Sequence, residues 1–435
     1  MTMTAAPVTP AENAPPRPAS RATPTRLRLL AGGLALLTVL AGVAAAVAVA
    51  NRHAAASAAW QTSEPLVVDA QGIDTSLSEA DTAAAGSFLQ GRLEPVGLRA
   101  QYLADLAQAS TSLATTTHAV GTQSSALSAI TTLSVDLPVY TGIVQTATFN
   151  ERQGFYPLAA AYIGEANNLM RTQMLPAARQ LFAVERSALA DDQQGALSSW
   201  LVVIAGVLLL ALLVTIVATQ RWMSGHFRRT FNVPLVAATV LIVVVGLWFG
   251  VSVGAETSQV DTATANGSGP LSVSTQARIL ALQLRADDEL TLLSQDSVSS
   301  YQADYGTAAA ALQHLFSVAS STAGPAERQQ LVVDQRDVNA YRLVHDEIRL
   351  HDGRGEWNDA LSLAAGTGTG DLPAVSANLD AQLVDGIASS QQTFDNSMSS
   401  ATTNLTAALY GIVVLSLLIA ALIIVGFRPR IAEYR

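Results

Sequence analysis

The sequence predicts an all-α membrane protein with four transmembrane helices and two extracytoplasmic four-helix bundles in tandem. Three observations lead there. Half of the 435 residues are hydrophobic and only 13% are charged, against about 25% charged in soluble domains. Four runs, 29–50, 200–219, 233–254 and 407–427, contain no Asp, Glu, Arg, Lys or His. Each holds about 20 residues, enough to cross a bilayer core of about 30 Å as a helix. Between the runs, apolar residues recur every three or four positions, the helical period rather than the alternation of strands.

Taken in order, residues 1–28 form a Pro/Ala/Thr-rich tail without apolar periodicity, which reads as disordered and cytoplasmic. The first span, 29–50, ends in Ala48-Val49-Ala50, which resembles a signal-peptidase site. Its apolar run exceeds the roughly 7–15 residues of a signal peptide, so the span reads as retained. An outer domain follows at 51–199, with one-face spacing in Leu98, Tyr102, Leu106, Ala109 and Leu113. Span two (200–219), a cytoplasmic loop (220–232) and span three (233–254) lead to a second outer domain at 255–406. There Ile279, Leu282, Ala286, Leu290 and Leu293 repeat the same spacing. Span four (407–427) and a short cytoplasmic tail (428–435) close the chain. Equal domain lengths suggest a duplication, although little residue identity is visible between the halves. Pro138 and Pro176 are expected to start or kink helices.

Orientation follows from arginine placement. All 24 basic residues are Arg, and the two tails and the loop hold ten of them against two acids. The outer segments hold the other 14 against 32 acids. The positive-inside rule then puts both termini and the loop in the cytoplasm of a multi-pass plasma-membrane protein. The net charge of −10 argues against nucleic acid. The absence of Cys removes disulfides, thiolate metal sites and Cys nucleophiles, and the absence of Lys removes Schiff-base chemistry. Spans without ionisable groups argue against a channel, pump or transporter.

Signals for catalysis, cofactors or metals are poor, so neither an enzyme nor a cofactor site is expected. His345 and His351 are six apart and do not form a zinc-helix pair. His345 shares a helix face with Val338, Tyr341 and Ile348 and reads as a buried, hydrogen-bonded residue. Asp191-Asp192 and Asp287-Asp288 read as solvated surface. The richest polar stretch places Tyr140, Asn150, Arg152, Gln153 and Tyr156 near a Gly turn, where Arg152 could fork onto a ligand carboxylate. Arg221, Arg228 and Arg229 could dock a cytoplasmic partner or simply anchor the topology. Gly246, Gly250 and Gly254 form a GxxxG stripe, suited to packing within the four spans or to a homodimer.

The stretches Leu137-Pro138-Val139-Tyr140-Thr141-Gly142, Asn150-Glu151-Arg152-Gln153-Gly154, Gly91-Arg92-Leu93-Glu94-Pro95 and Arg228-Arg229-Thr230-Phe231-Asn232 form a recognisable set. Together they resemble actinobacterial four-span membrane proteins of the GlnX type. The resemblance implies sensor-like outer domains. It also implies a relay between an extracytoplasmic solute-binding lipoprotein that reports amino acids and a cytosolic Ser/Thr protein kinase, protein kinase G. The expectation is a non-enzymatic signal relay; a cell-envelope scaffold or an accessory subunit of an uptake system are the alternatives.

Because the chain lacks Cys, the topology can be read directly. A membrane-impermeant maleimide should label Ser128→Cys in intact cells and label Ser224→Cys only after lysis. Equal labelling of the two would contradict the orientation.

Overall fold

The computed structural model describes residues 22–90, 96–120, 124–197, 200–227, 233–294 and 300–432. Every regular element among these residues is helical: α1 (Ala22–Ala58), α2 (Glu64–Leu89), α3 (Val96–Val120), α4 (Ser124–Arg152), α5 (Tyr156–Leu169), α6 (Leu175–Leu197), α7 (Trp200–Phe227), α8 (Val233–Ala263), α9 (Gly269–Ser294), α10 (Ser300–Thr322), α11 (Pro325–Gly353), α12 (Trp357–Ala365) and α13 (Leu372–Ala432). Three π-helical turns, Ala59–Ser63, Met170–Met174 and Thr264–Ser268, join α1 to α2, α5 to α6 and α8 to α9. Residues 22–28 of the expected tail are helical, and α7 carries residues 220–227 of the expected loop. The rest of that loop, with Arg228 and Arg229, lies outside the described residues.

The π turns have one cause. Each is followed, two residues after its end, by a proline: Pro65, Pro176 and Pro270. A proline within a helix lacks an N–H and its ring collides with the carbonyl four residues earlier. Here those carbonyls belong to Gln61, Thr172 and Asn266, all inside π turns. Widening the turn relieves the collision, and the N–H groups of Glu64, Leu175 and Gly269 bond five residues back to Ala59, Met170 and Thr264. Pro176 thus sits beside such a widened turn, whereas α4 runs through Pro138 as one element.

The chain divides into two compact units. One comprises residues 1–49, 199–251 and 407–435, and the other residues 50–198 and 252–406. In the first unit, portions of α1, α7, α8 and α13 carry the four apolar runs and are long and apolar enough to cross a membrane. Packing among them uses other glycines than the sequence singled out. A Cβ on Gly42 would stand 2.6 Å from the Ser416 hydroxyl, and one on Gly411 would meet the Trp248 ring. Gly246, Gly250 and Gly254 instead face open space, because the packed face of α8 is Ala238, Ile242, Val245 and Phe249. The stripe therefore does not pack the described spans together. At one end Gln220 donates 2.8 Å to the Leu235 carbonyl and 2.7 Å to Thr239, tying α7 to α8.

A fifth helix, Ser125–Arg152, is also long and apolar enough to cross a membrane. Its Ala126, Leu133, Tyr140 and Ala147 are buried in the core of the second unit, which accounts for its apolar character.

The second unit shows the duplication. The π turn Ala59–Ser63 and α2 recur 205 residues later as Thr264–Ser268 and α9. Helix α4 recurs 201 residues later as α11, followed in both halves by a glycine at positive φ, Gly154 (85°) and Gly355 (75°). Aligned this way, Pro65-Leu66-Val67-Val68-Asp69-Ala70-Gln71 matches Pro270-Leu271-Ser272-Val273-Ser274-Thr275-Gln276 at four positions. The halves part after α12. Residues 366–371 break the helix there, with Asp371 accepting from the Gly368 N–H at 2.6 Å, whereas α5 runs on through its π turn into α6.

The two glycines end their helices in a conformation costly for residues with a Cβ. Gly154→Ala and Gly355→Ala should each destabilise the second unit by about 1–2 kcal/mol. Gly142→Ala, on an exposed helical position with open space at Cβ, should stabilise by about 0.5–1 kcal/mol. Melting of the detergent-solubilised chain would rank the three; equal shifts would contradict the turn geometry.

Candidate functional site

Helix α2 buries nearly its whole circumference from Ala70 to Leu89, polar residues included. It is covered by helices of its own half and by α9 of the other. Along this seam lies a layer of charges, several of them cut off from water. Asp287, Asp288 and Glu289 expose no more than 2% each, so Asp287-Asp288 is interior and not solvated surface. The tertiary fold overrides the sequence reading here, because α9 is packed on both sides. The Asp191-Asp192 pair stays at the periphery, where Asp192 accepts a 2.5 Å bond from Ser63.

Arginines from one half hold carboxylates of the other. Arg278 binds Asp380 at 2.6 Å and also Glu79 across the seam. Arg171 reaches across to Asp287 and, at 3.2 Å, to Asp304, with its guanidinium 5.8 Å from the Tyr301 ring centre. Arg52 pairs with Glu256 at 2.7 Å and bonds Thr257 at 3.0 Å. Gly86 makes room for Glu289: a Cβ there would lie 3.1 Å from the Glu289 carboxylate, which Arg285 holds at 3.0 Å.

Each half also has a tyrosine–aspartate couple at its centre. Tyr140, fully buried, donates 3.2 Å to Asp81, whose other oxygen accepts 2.5 Å from Asn167. Its repeat counterpart Tyr341 donates 2.9 Å to Asp288, whose other oxygen meets His345 Nδ1 at 2.6 Å. A carboxylate only accepts, so Nδ1 carries the proton. His345 stacks on Tyr305 at 3.6 Å, and Tyr102 lies 6.5 Å from Tyr140. His345 is thus the hydrogen-bonded core residue its helix face suggests.

The polar stretch around Arg152 does not converge. Tyr140 points into the core, three turns or about 18 Å along α4 from Arg152. Asn150 turns back to the Thr146 carbonyl at 2.8 Å, and Arg152, Gln153 and Tyr156 are exposed around the Gly154 turn. These residues do not share one pocket: Tyr156 lines a cavity with Phe88, Leu292 and Tyr301, to which Tyr140, Asn150, Arg152 and Gln153 do not contribute. Arg221 is exposed on α7. Among the described residues, His351, Glu356 and Asp359 are the group whose ligand atoms lie close enough for a metal, within 4.8 Å. His351 already pairs with Glu356 at 2.6 Å. What sequence reasoning missed is the seam itself; the hint was a run of acids and arginines in otherwise apolar periodic text.

Burial pushes the carboxyls of Asp105, Asp287 and Glu289 up to about 7 and that of Asp74 up to about 6, despite neighbouring arginines that oppose the shift. Several oxygens in this layer, among them Asp74 Oδ1, Asp105 Oδ2, Asp287 Oδ2 and Glu289 Oε2, are buried without a hydrogen-bond partner. The layer clamps the two halves together at an electrostatic cost.

Residues 55–194 match the family model described as the actinobacterial sensor domain. No curated protein and no solved structure matches the chain. The match supports an actinobacterial sensor protein with a sensing role, without singling out the GlnX type. The match covers the first half of the second unit; the second half repeats its order of helices as far as α12.

Acids with raised folded values bind their protons more tightly folded than unfolded. Their stabilisation is complete below about pH 4 and is lost as pH rises through about 7. The full chain should therefore melt higher at about pH 5 than at about pH 8, and Glu289→Gln should flatten the profile. Removing Arg278, which leaves the partly buried Glu79 without its partner, should cost about 1–3 kcal/mol in Arg278→Met. A pH-independent melting temperature would contradict the reading of this layer.

Proposed function

We propose that the chain is a non-enzymatic transmembrane relay. The outer unit senses an extracytoplasmic condition and passes it through the spans to a cytoplasmic partner. On the GlnX resemblance, the condition is amino-acid status, met directly or through a solute-binding lipoprotein, and the partner is a Ser/Thr protein kinase. The Arg-rich segment with Arg221, Arg228 and Arg229 offers that partner a basic face. One observation carries the proposal: the sensor-domain match begins at residue 55, inside the same helix that holds the apolar run 29–50. The arginine bias of the tails and loop supports cytoplasmic termini and extracytoplasmic outer halves.

A relay needs two states of similar energy that a signal binds unequally. The π turns supply such an element. Thr264–Ser268 follows directly on α8, as Ala59–Ser63 follows on α1. Relaxing one to α-helix shifts the register by a residue and turns the following segment by about 100°. Gly267 of the second turn lies against Phe394 of α13, so the turn is held from outside its own helix. The open Gly246, Gly250 and Gly254 face supports a homodimer through α8 as the assembled form.

Grafting residues 22–432 onto a foreign cytoplasmic output domain tests the relay. Output should follow the extracytoplasmic amino-acid supply, and Pro65→Ala or Pro270→Ala should hold it in one state. Output that ignores both would favour an envelope scaffold or an uptake accessory.

A further inference from the structure

A cavity of about 320 Å³ opens on the seam between the two halves of the outer unit. Its wall is made by α2, α6 and α9, and its polar end holds Gln71, Asp74, Arg179, Thr275 and Gln276. Phe182, Ile279 and Leu280 form the apolar remainder. The two glutamines are repeat counterparts, one from each copy of the Pro-Leu-x-Val-x-x-Gln motif, so both halves contribute equivalent residues to one site.

The polar groups are incompletely paired. Asp74 and Thr275 each expose 3%, and neither Asp74 Oδ1 nor Thr275 Oγ1 has a hydrogen-bond partner. Neighbouring helical threonines, such as Thr75, close onto the carbonyl four residues back, and Thr275 does not. Asp74 Oδ2 stands 3.7 Å from Arg179 Nε, a loose pair, and the Arg179 side chain is half exposed. A buried acid beside an incompletely engaged guanidinium asks for a ligand bearing both charges. A lone cation would leave Arg179 facing it, and a lone anion would meet Asp74.

We propose that this cavity binds a small aliphatic zwitterion. Its ammonium is taken by Asp74 and Thr275, its carboxylate by Arg179, and its hydrocarbon body by Phe182, Ile279 and Leu280. The ion pairs select for both charges, and the apolar wall selects against polar side chains. Because α2 and α6 belong to one half and α9 to the other, occupancy adds contacts that only the closed seam provides. This proposal rests on the relay reading and names the ligand class for it.

The test uses the full chain in nanodiscs, with thermal melting titrated by L-leucine, by isoamylamine, which lacks the carboxylate, and by 4-methylpentanoate, which lacks the ammonium. L-Leucine should raise the melting temperature, each singly charged analogue should bind at least about tenfold more weakly, and L-glutamate should bind more weakly than L-leucine. Asp74→Asn and Arg179→Gln should each weaken L-leucine by about tenfold or more, while Arg336→Gln, on an exposed side chain, should not. The unliganded melting temperature of each variant reports its folding. Wild-type titrations in both cavity variants would overturn the site while leaving sensing intact. No response to any of the zwitterions would overturn the ligand class, and the output chimaera would still judge the relay separately.

Discussion

Desolvated charge along the α2–α9 seam governs the second unit, residues 50–198 and 252–406. Arg171 and Arg278 each reach from one half to carboxylates of the other, in a layer where Asp287, Asp288 and Glu289 are almost wholly buried. Removing such ions from water is expensive, and the attraction between them repays that only while the partners stay in place. Leu292 and Ala277 of α9 and Leu89 of α2 share one apolar cluster. Hydrophobic contact therefore brings the halves together, and the ion pairs set their register. The unit is thereby specified without being maximally stable, a condition under which a modest ligand can matter.

The tandem repeat gives that seam its composition. Both halves begin with a helix leaving an apolar run, widen at a π turn, pass a proline, and carry the Pro-Leu-x-Val-x-x-Gln motif onto the shared face. Both centre on a buried tyrosine, Tyr140 or Tyr341, bonded to an aspartate of that first helix. The second copy adds His345 stacked on Tyr305, where the first has Val144 at the counterpart position. The copies have thus kept their framework and diverged in their polar cores.

A π turn stores one extra residue in a helix and is stable only where something opposes its relaxation. Here the proline that follows opposes it locally, while Gly267 against Phe394 and Ser63 bonded to Asp192 hold it from neighbouring helices. The register of α2 and α9, which follow these turns, therefore depends on those contacts.

Much of the architecture was legible in the amino-acid text. Apolar runs of bilayer length, arginine bias and three-four spacing are local properties that survive averaging over any tertiary arrangement. The prolines at 65, 176 and 270 were visible too, but their meaning depends on the helix continuing through them, which packing decides. The duplication was visible only as equal lengths, because helical repeats tolerate substitution wherever burial is conserved. Tyr140 illustrates the limit for sites. Its neighbours in sequence are exposed turn residues, yet three helical turns separate it from Arg152 and put it in the core.

By itself, then, the sequence determined the class of protein, the positions of its apolar helices and their expected orientation, since these depend on transfer free energies summed over short segments. Only the tertiary structure decided that Asp287 and Asp288 are interior, that Gly42 and Gly411 rather than the GxxxG stripe pack helices, and that Asp74, Arg179 and Thr275 share a cavity. Those outcomes depend on which helix faces meet, and that is set by long-range packing and desolvation that no local spacing encodes.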